Sequence, residues 1–411
     1  MMLPAREVLA LHRAITSIRS ESGQEQALAD FLENRLRRHG AAPQRLGNSL
    51  LAMAGAGPLL LFDTHLDTVP PASGWTRDPW AVEVIDGRVF GLGANDAKAS
   101  AAGMIAAFLA FAEAELPFTL ALALVEAEET RGTGTEAVLA ELARLGRSPV
   151  AAVVGEPTGL DLAVAQKGLL VLELAARGDA CHAAHAADLG ARNAARLLAR
   201  DLVALESVDF GTPHALLGPI TLEPTQLAAG TARNVVPGEA TAVLDVRTTP
   251  ALPPPQVIER IERLVASEVR VLSNRLLPSE TASDSPLVEA ARRARPEIRL
   301  YGSSTLSDLV FMRGIPAVKC GPGRSQRSHT PDEFVLESEV LAGARFYTRL
   351  VGAWAEIQAT MPGDRAPRAP NIAKVAGRPP AARTSADAKT AELPRAPEAP
   401  EIPEIPGIMA R

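Results

Sequence analysis

Short continuous apolar runs recur along the chain, and three of them lead directly into carboxylates or a histidine. Leu59-Leu60-Leu61-Phe62 runs into Asp63, His65 and Asp67, Phe118 to Ala127 into Glu128 and Glu129, and Val150 to Val154 toward Glu156. A run that is apolar at every position suits a strand buried on both faces, as in a parallel sheet. Between the runs lie a small-residue helical stretch, Lys98 to Ala114, and a second one, Gly134 to Leu145. Two amphipathic helices precede them between Ala5 and Arg38. Such alternation predicts an α/β domain with a mixed, mostly parallel sheet. Open sheets of this kind gather ligands at the carboxyl ends of their strands, where the acidic residues fall.

The rhythm changes near Lys167. A strand (Leu169 to Leu174), a helix (Ala191 to Leu205), strands near Ile220 and from Ala240 to Arg247, a helix (Gln256 to Ala266) and a strand (Val269 to Leu272) follow in order. That order predicts a small ferredoxin-like α+β sandwich inserted into the first domain. Helix and strand then alternate again to Trp354. The expected organisation is a first part of the α/β domain over 1–167, an inserted domain over 168–278, a second part of the α/β domain over 279–358, and a tail over 359–411. About ten of the 33 prolines fall after Met361 beside few large apolar residues, so the tail is expected to be disordered, with no partner assigned.

Composition narrows the function. With 411 residues there is room for two or three domains. The formal net charge of −6 offers no basic excess for a phosphate backbone, so nucleic acid is not an expected partner. Cys181 and Cys320 are too few for a disulfide framework, and charged residues interrupt the first apolar stretch, so a cytoplasmic protein is expected. No apolar run approaches the roughly 20 residues of a membrane span.

His65 and Asp67, two apart at a strand end, point to one face, about 6 to 7 Å apart at the backbone. The pair suits a metal-binding His whose second ring nitrogen is held by a carboxylate, although a surface ion pair would also account for it. Asp96 ends the glycine-rich loop Gly91-Leu92-Gly93-Ala94-Asn95 at a helix start, where ligand and helix cap are both open readings. Adjacent Glu128 and Glu129 repel one another unless a cation is shared or one holds a proton, and a metal explains both. Glu156, followed by Pro157, and His329, in Ser328-His329-Thr330, would each pass singly as surface polarity.

Taken together, six motifs in order resemble the co-catalytic zinc metallopeptidases that include acetylornithine deacetylase, succinyl-diaminopimelate desuccinylase and carboxypeptidase G. They are Asp63 to Pro70, the glycine loop through Asp96 and Lys98, Glu128-Glu129, Val154 to Thr158, Gly230 to Pro237, and Gly321-Pro322-Gly323 before His329. The resemblance spans about residues 5 to 355. It implies two Zn2+ ions per subunit, with Co2+ or Mn2+ as substitutes. Asp96 would bridge them, His65 and Glu156 would complete one site, and Glu129 and His329 the other. It also implies that Asp67 orients His65, that Glu128 is the general base, and that the Asp96-Ala97 peptide is cis. Where relatives usually carry Met-Lys-Gly, this chain has Ala97-Lys98-Ala99, which removes volume without touching a ligand.

The resemblance further implies a homodimer in which His182 of the inserted domain reaches the partner's site to polarise the scissile carbonyl. His185, three residues on, competes for that role. Asn234, Arg247 and Gly323 look like substrate-binding positions. For Arg247 the alternative is a structural pairing with Asp245 or a neighbouring strand. The implied substrate is a small N-acyl amino acid, and the stretch Lys319 to Thr330 most resembles members acting on acylated ornithine or lysine. The leading expectation is therefore hydrolysis of N-acetyl- or N-succinylornithine in arginine biosynthesis. N-acyl-lysine deacylation, diaminopimelate desuccinylation and dipeptidase or carboxypeptidase activity would use the same core. An inactive scaffold that binds through its tail is the alternative of another class, and the presence of all five ligands and Glu128 opposes it.

Overall fold

The computed structural model describes residues 3–360. The tail expected from residue 359 lies, from 361 on, outside the described residues, and the helix Glu337–Thr360 carries order two residues past the expected boundary.

Three apolar runs form the middle of a nine-stranded sheet. Thr119–Val125, Leu59–His65 and Pro149–Val154 lie side by side and parallel, every residue buried, and Ala317–Lys319 extends the parallel set. Antiparallel strands flank it: Gln44–Leu46 and Ser49–Gly55 on one side, Leu162–Gln166 and Ser279–Glu280 on the other. Leu300–Ser303 pairs parallel to Leu162–Gln166. Register matters most for the site: His65 lies opposite Val125, and Asp63 opposite Val154. The acidic residues that follow all three strands therefore leave the sheet at one end.

Lys98–Phe111 is buried from Lys98 through Phe108, which fits its lack of a polar face. Small residues let the helix Glu337–Thr360 approach it closely. A Cβ on Gly103 would stand 3.1 Å from the Tyr347 ring. Phe62, Phe108, Tyr347 and Trp354 fill the core between helices and sheet, and the Tyr347 hydroxyl donates to the Cys320 carbonyl oxygen at 2.7 Å. A three-stranded antiparallel sheet, Glu83–Ile85, Arg88–Phe90 and Phe334–Leu336, was not anticipated; strands of three residues leave too little periodicity to read.

A separate four-stranded antiparallel sheet is built from 168–276, in the order Thr221–Ala229, Glu239–Thr248, Gly168–Arg177, Glu268–Leu276. Its helices, Ala194–Leu205 and Pro254–Glu262, cover one face and bury Leu198, Leu205, Val257 and Ile261 against Leu170, Leu172, Leu244 and Val246. This βαββαβ order is ferredoxin-like. Glu239–Thr248 alternates buried and less buried residues, as one-sided coverage requires. Thr221–Ala229 is an edge strand exposed over most of its length.

Candidate metal centre

The strand-end residues converge. The ligand atoms of His65, Asp96 and Glu156 lie within 4.8 Å of one another, and so do those of Asp96, Glu129 and His329, so the two groups share Asp96. A third grouping, His65 with Glu128 and Glu129, meets the same distance. His65 Nε2 stands 3.2 Å from Asp96 Oδ1 and 3.9 Å from Glu156 Oε1, while His329 Nε2 stands 2.9 Å from Glu129 Oε1 and 3.8 Å from Asp96 Oδ2.

Backbone geometry sets these positions. Ala127 adopts a left-handed φ of 58° and its carbonyl receives the N–H groups of Arg131 and Gly132, which turns Glu128 and Glu129 over the strand end. Gly93, at φ 76°, packs so closely that a Cβ would lie 2.6 Å from Thr68 Cγ2. This tight loop brings Asp96 to the start of the helix, and the Asp96-Ala97 peptide is cis.

Asp67 contacts His65 through both its main chain and its carboxylate. His65 Nδ1 is 2.9 Å from the Asp67 carbonyl oxygen and 3.5 Å from its carboxylate, which leaves Nε2 facing the acids. The carboxylate also accepts the N–H groups of Glu128 and Glu129, each at 3.1 Å, and the Ser22 hydroxyl at 2.7 Å. It thereby ties the histidine's strand to the loop that carries both glutamates.

Several contacts escaped the sequence reading. Glu333 accepts the N–H groups of Asn95 (2.8 Å), Asp96 (3.0 Å) and Gly93 (3.2 Å), cradling the Asp96 loop. Lys98 is fully buried and donates to the Ile18 carbonyl at 3.0 Å. Thr135 bridges two buried acids, with its hydroxyl 2.7 Å from Asp308 and 3.1 Å from Asp63. Their sequence signal was slight: each is a lone polar residue with nothing in the sequence to say what it touches.

The cluster is short of positive charge. Burial pushes Glu128 and Glu156 well above the usual carboxylate range, and neighbouring acids add to the rise. Burial alone would depress His65, but hydrogen bonds to Asp67 and Asp96 hold it well above its ordinary value. His329 is raised to about 9, chiefly by Glu129. Acids and histidines gathered this closely in a buried place form an arrangement that a bound cation would stabilise. The mixed nitrogen and oxygen donors, three to a site around a shared aspartate, fit two metal ions of the zinc type with room for water.

The inserted segment's candidates stand apart from these groups. His182 and His185 are exposed, their rings 5.7 Å apart, and His182 Nδ1 accepts the Ala184 N–H. Asn234 is brought beside them: its carbonyl receives the Ala183 N–H at 2.8 Å, and Val235–Val236 pairs with Cys181–His182. Arg247 takes the alternative role, gripping Asp245 with Nε at 2.7 Å and Nη2 at 3.0 Å. Gly323 has a conformational reason to be glycine, since φ is 83° and a Cβ would meet Asn95 Oδ1 at 2.3 Å.

Comparison with known proteins places the chain in a family and a fold. The model of peptidase family M20/M25/M40 matches residues 61–353. Succinyl-diaminopimelate desuccinylase of Rhodospirillum centenum is 33% identical over 337 residues, covering 76% of this chain and 85% of that protein. The enzyme of the same name from Acidiphilium cryptum is 31% identical, covering 74% and 85%. Among solved structures, aminopeptidase PepT of Bacillus cereus superposes with a TM-score of 0.71 at 19% identity, over 86% of this chain and 100% of that one. A dinuclear metal-binding M20 peptidase of Bacillus subtilis gives 0.67 at 16%, over 87% and 99%. These two share the fold.

Proposed function

The chain belongs to peptidase family M20/M25/M40, and from that premise we propose that it removes the acyl group from the α-nitrogen of an N-acyl amino acid, with ornithine as the leading amine. It is a metal-dependent amidohydrolase with two metal ions per subunit. The observation that carries the reading is the pair of three-donor groups sharing Asp96, with Glu128 beside them and outside both.

His65, Asp96 and Glu156 would hold one ion and Asp96, Glu129 and His329 the other, with Zn2+ the expected metal. When bound, such ions supply electrophilic polarisation of the amide carbonyl and make water more acidic. The protein's own groups do the rest. Glu128 accepts a proton from the attacking water and returns it to the leaving nitrogen, so that the C–N bond breaks, a C–O bond forms, and a carboxylate and an amine depart. Asp67 holds Glu128 in place through its main-chain N–H. His182 of a partner subunit would donate to the carbonyl oxygen in a homodimer.

The acyl and amino acid parts are open to a second reading. The desuccinylase relatives favour a succinyl group and diaminopimelate, and thus lysine rather than arginine biosynthesis. A panel of N-acetyl and N-succinyl derivatives of ornithine, lysine and diaminopimelate, with dipeptides, tests both on zinc-loaded protein. Turnover of N-acylornithine above the others supports the first reading, and preference for N-succinyl-diaminopimelate the second. Cleavage of dipeptides alone would sink both.

A further inference from the structure

A cleft of about 600 Å3 opens against Glu156 and is lined by Asp161, Arg299, Tyr301, Thr305, Lys319 and Arg324. Its size falls in the range of about 300 to 1,000 Å3 typical of small-molecule sites. Lys319 pairs with Val154 in the central sheet, so it leaves the sheet at the same end as Glu156.

The charges lining the cleft are not equally free. Arg299 is clamped to Asp161, with Nε at 3.0 Å and Nη2 at 2.5 Å, and the two cancel. Glu156 belongs to the metal cluster. Lys319 is 3% exposed, and its ammonium donates to the Thr305 carbonyl oxygen at 3.2 Å and hydroxyl at 3.0 Å. Among the described residues it forms no ion pair with a carboxylate. Its nearest counter-charges, Glu156, Glu128 and Asp96, belong to the metal cluster, so a buried ammonium here gains from an anion placed in the cleft. Arg324 is fixed by its main chain, whose N–H and carbonyl bond the Asn95 side chain at 2.9 and 3.1 Å, and its guanidinium is exposed. Two cations that make no direct ion pair with a carboxylate thus face one cleft, Lys319 feeling the charges of Glu156, Glu128 and Asp96 at longer range.

We infer that Lys319 and Arg324 bind a carboxylate of the substrate in this cleft and so set which N-acyl amino acids the enzyme accepts. The inference rests on the deacylase reading and adds the specificity site. Two parts of the substrate carry this chemistry: the far end of a dicarboxylic acyl group such as succinyl, and the α-carboxylate of the amino acid. A lysine and an arginine together suit either, the arginine by a forked contact and the lysine as a point charge.

Three substrates separate the sources: N-succinylornithine carries both carboxylates, N-acetylornithine only the α-carboxylate, and N-succinylputrescine only the acyl one. Lys319→Met and Arg324→Gln should lower kcat/KM about 10-fold to 100-fold, mainly through KM, on substrates that carry the recognised group. The substrate that lacks it should change less than about 3-fold. Loss confined to the two succinyl compounds assigns the acyl carboxylate, and loss confined to the two ornithine compounds assigns the α-carboxylate. Equal loss on all three, or no loss, overturns the inference. Lys319→Arg, which keeps the charge, should retain the preference, and a matched melting temperature excludes misfolding. If the wild type cleaves none of the three, the deacylase reading fails. Calorimetry with succinate and with ornithine on the zinc-loaded protein then decides: binding that Lys319→Met abolishes upholds the anion site, and no binding overturns it.

Discussion

Glu333 holds the main chain of Asp96 from behind, accepting its N–H at 3.0 Å while the same oxygen takes the Asn95 N–H at 2.8 Å. Burial pushes the Glu333 carboxyl up to about 8, with the Asp96 charge adding to the rise and the three N–H donors opposing it. A buried acid placed under the shared residue of both three-donor groups has a positioning task. Glu333→Gln would turn an amide NH2 toward at least one of the three backbone donors, since they are spread over both carboxylate oxygens. Metal affinity, read by competition with a chelator, should fall about 10-fold to 100-fold while the circular dichroism spectrum is kept. Unchanged affinity would show that the loop holds Asp96 unaided.

We expect separate tasks for the neighbours Glu128 and Glu129: both can meet His65, but of the two only Glu129 joins the Asp96 and His329 group. Glu128→Ala should retain two ions by elemental analysis yet lose about 100-fold to 10,000-fold in kcat. Glu129→Ala should instead lower metal content. Retention of most activity in Glu128→Ala would place the base elsewhere.

Away from the site, His12 links pH to stability. It is fully buried, its Nε2 lies 2.8 Å from the Ala94 carbonyl oxygen, and burial lowers its pKa from 6.5 to about 4. Between pH 6.5 and 4 the unfolded chain binds a proton that the folded chain refuses, so stability falls as pH falls through this window. The loss is on the order of 3 kcal/mol at its lower end. Denaturant unfolding of wild type and His12→Gln from pH 7 to 4 measures it. Parallel pH slopes for the two proteins would remove His12 from the account.

The sheet was legible because burial on both faces demands apolar residues at every position, and the runs at Leu59, Phe118 and Val150 meet that demand. The sandwich was legible from element order alone. Positions of the acids at the strand ends followed once the strands were parallel, since register then fixes which ends coincide. What the sequence hid was contact between distant segments. Nothing in the letters places Glu333 under Asp96, Thr135 between Asp63 and Asp308, or Lys319 beside Glu156. Asp67 shows a subtler limit: spacing gave its face correctly, yet the main-chain carbonyl holds His65 more closely than the carboxylate, a choice set by local backbone turns. Arg247 likewise had an acid two residues away, Asp245 on the same strand face, and the short route prevailed.

Assembly gives the last expectation. His182 is exposed and lies outside both three-donor groups, and Thr221–Ala229 offers an exposed edge strand whose outer backbone groups have no sheet partner in the four-stranded order. Exposed edges of this kind invite pairing with a second copy. We therefore expect a homodimer in which His182 acts on the other subunit's substrate. Glu128→Ala and His182→Ala proteins should each be nearly inactive, the second by roughly 100-fold to 1,000-fold, the effect of removing one carbonyl-polarising donor. Mixed after mild dissociation, they form hybrids in which one of the two sites regains both groups. With random pairing at equal amounts, about a quarter of wild-type activity should return. Sedimentation must show dimers throughout, and co-purification of two differently tagged variants confirms that subunits exchange. Mixed dimers without recovery, or a fully active monomer, would show that His182 does not serve its neighbour's site.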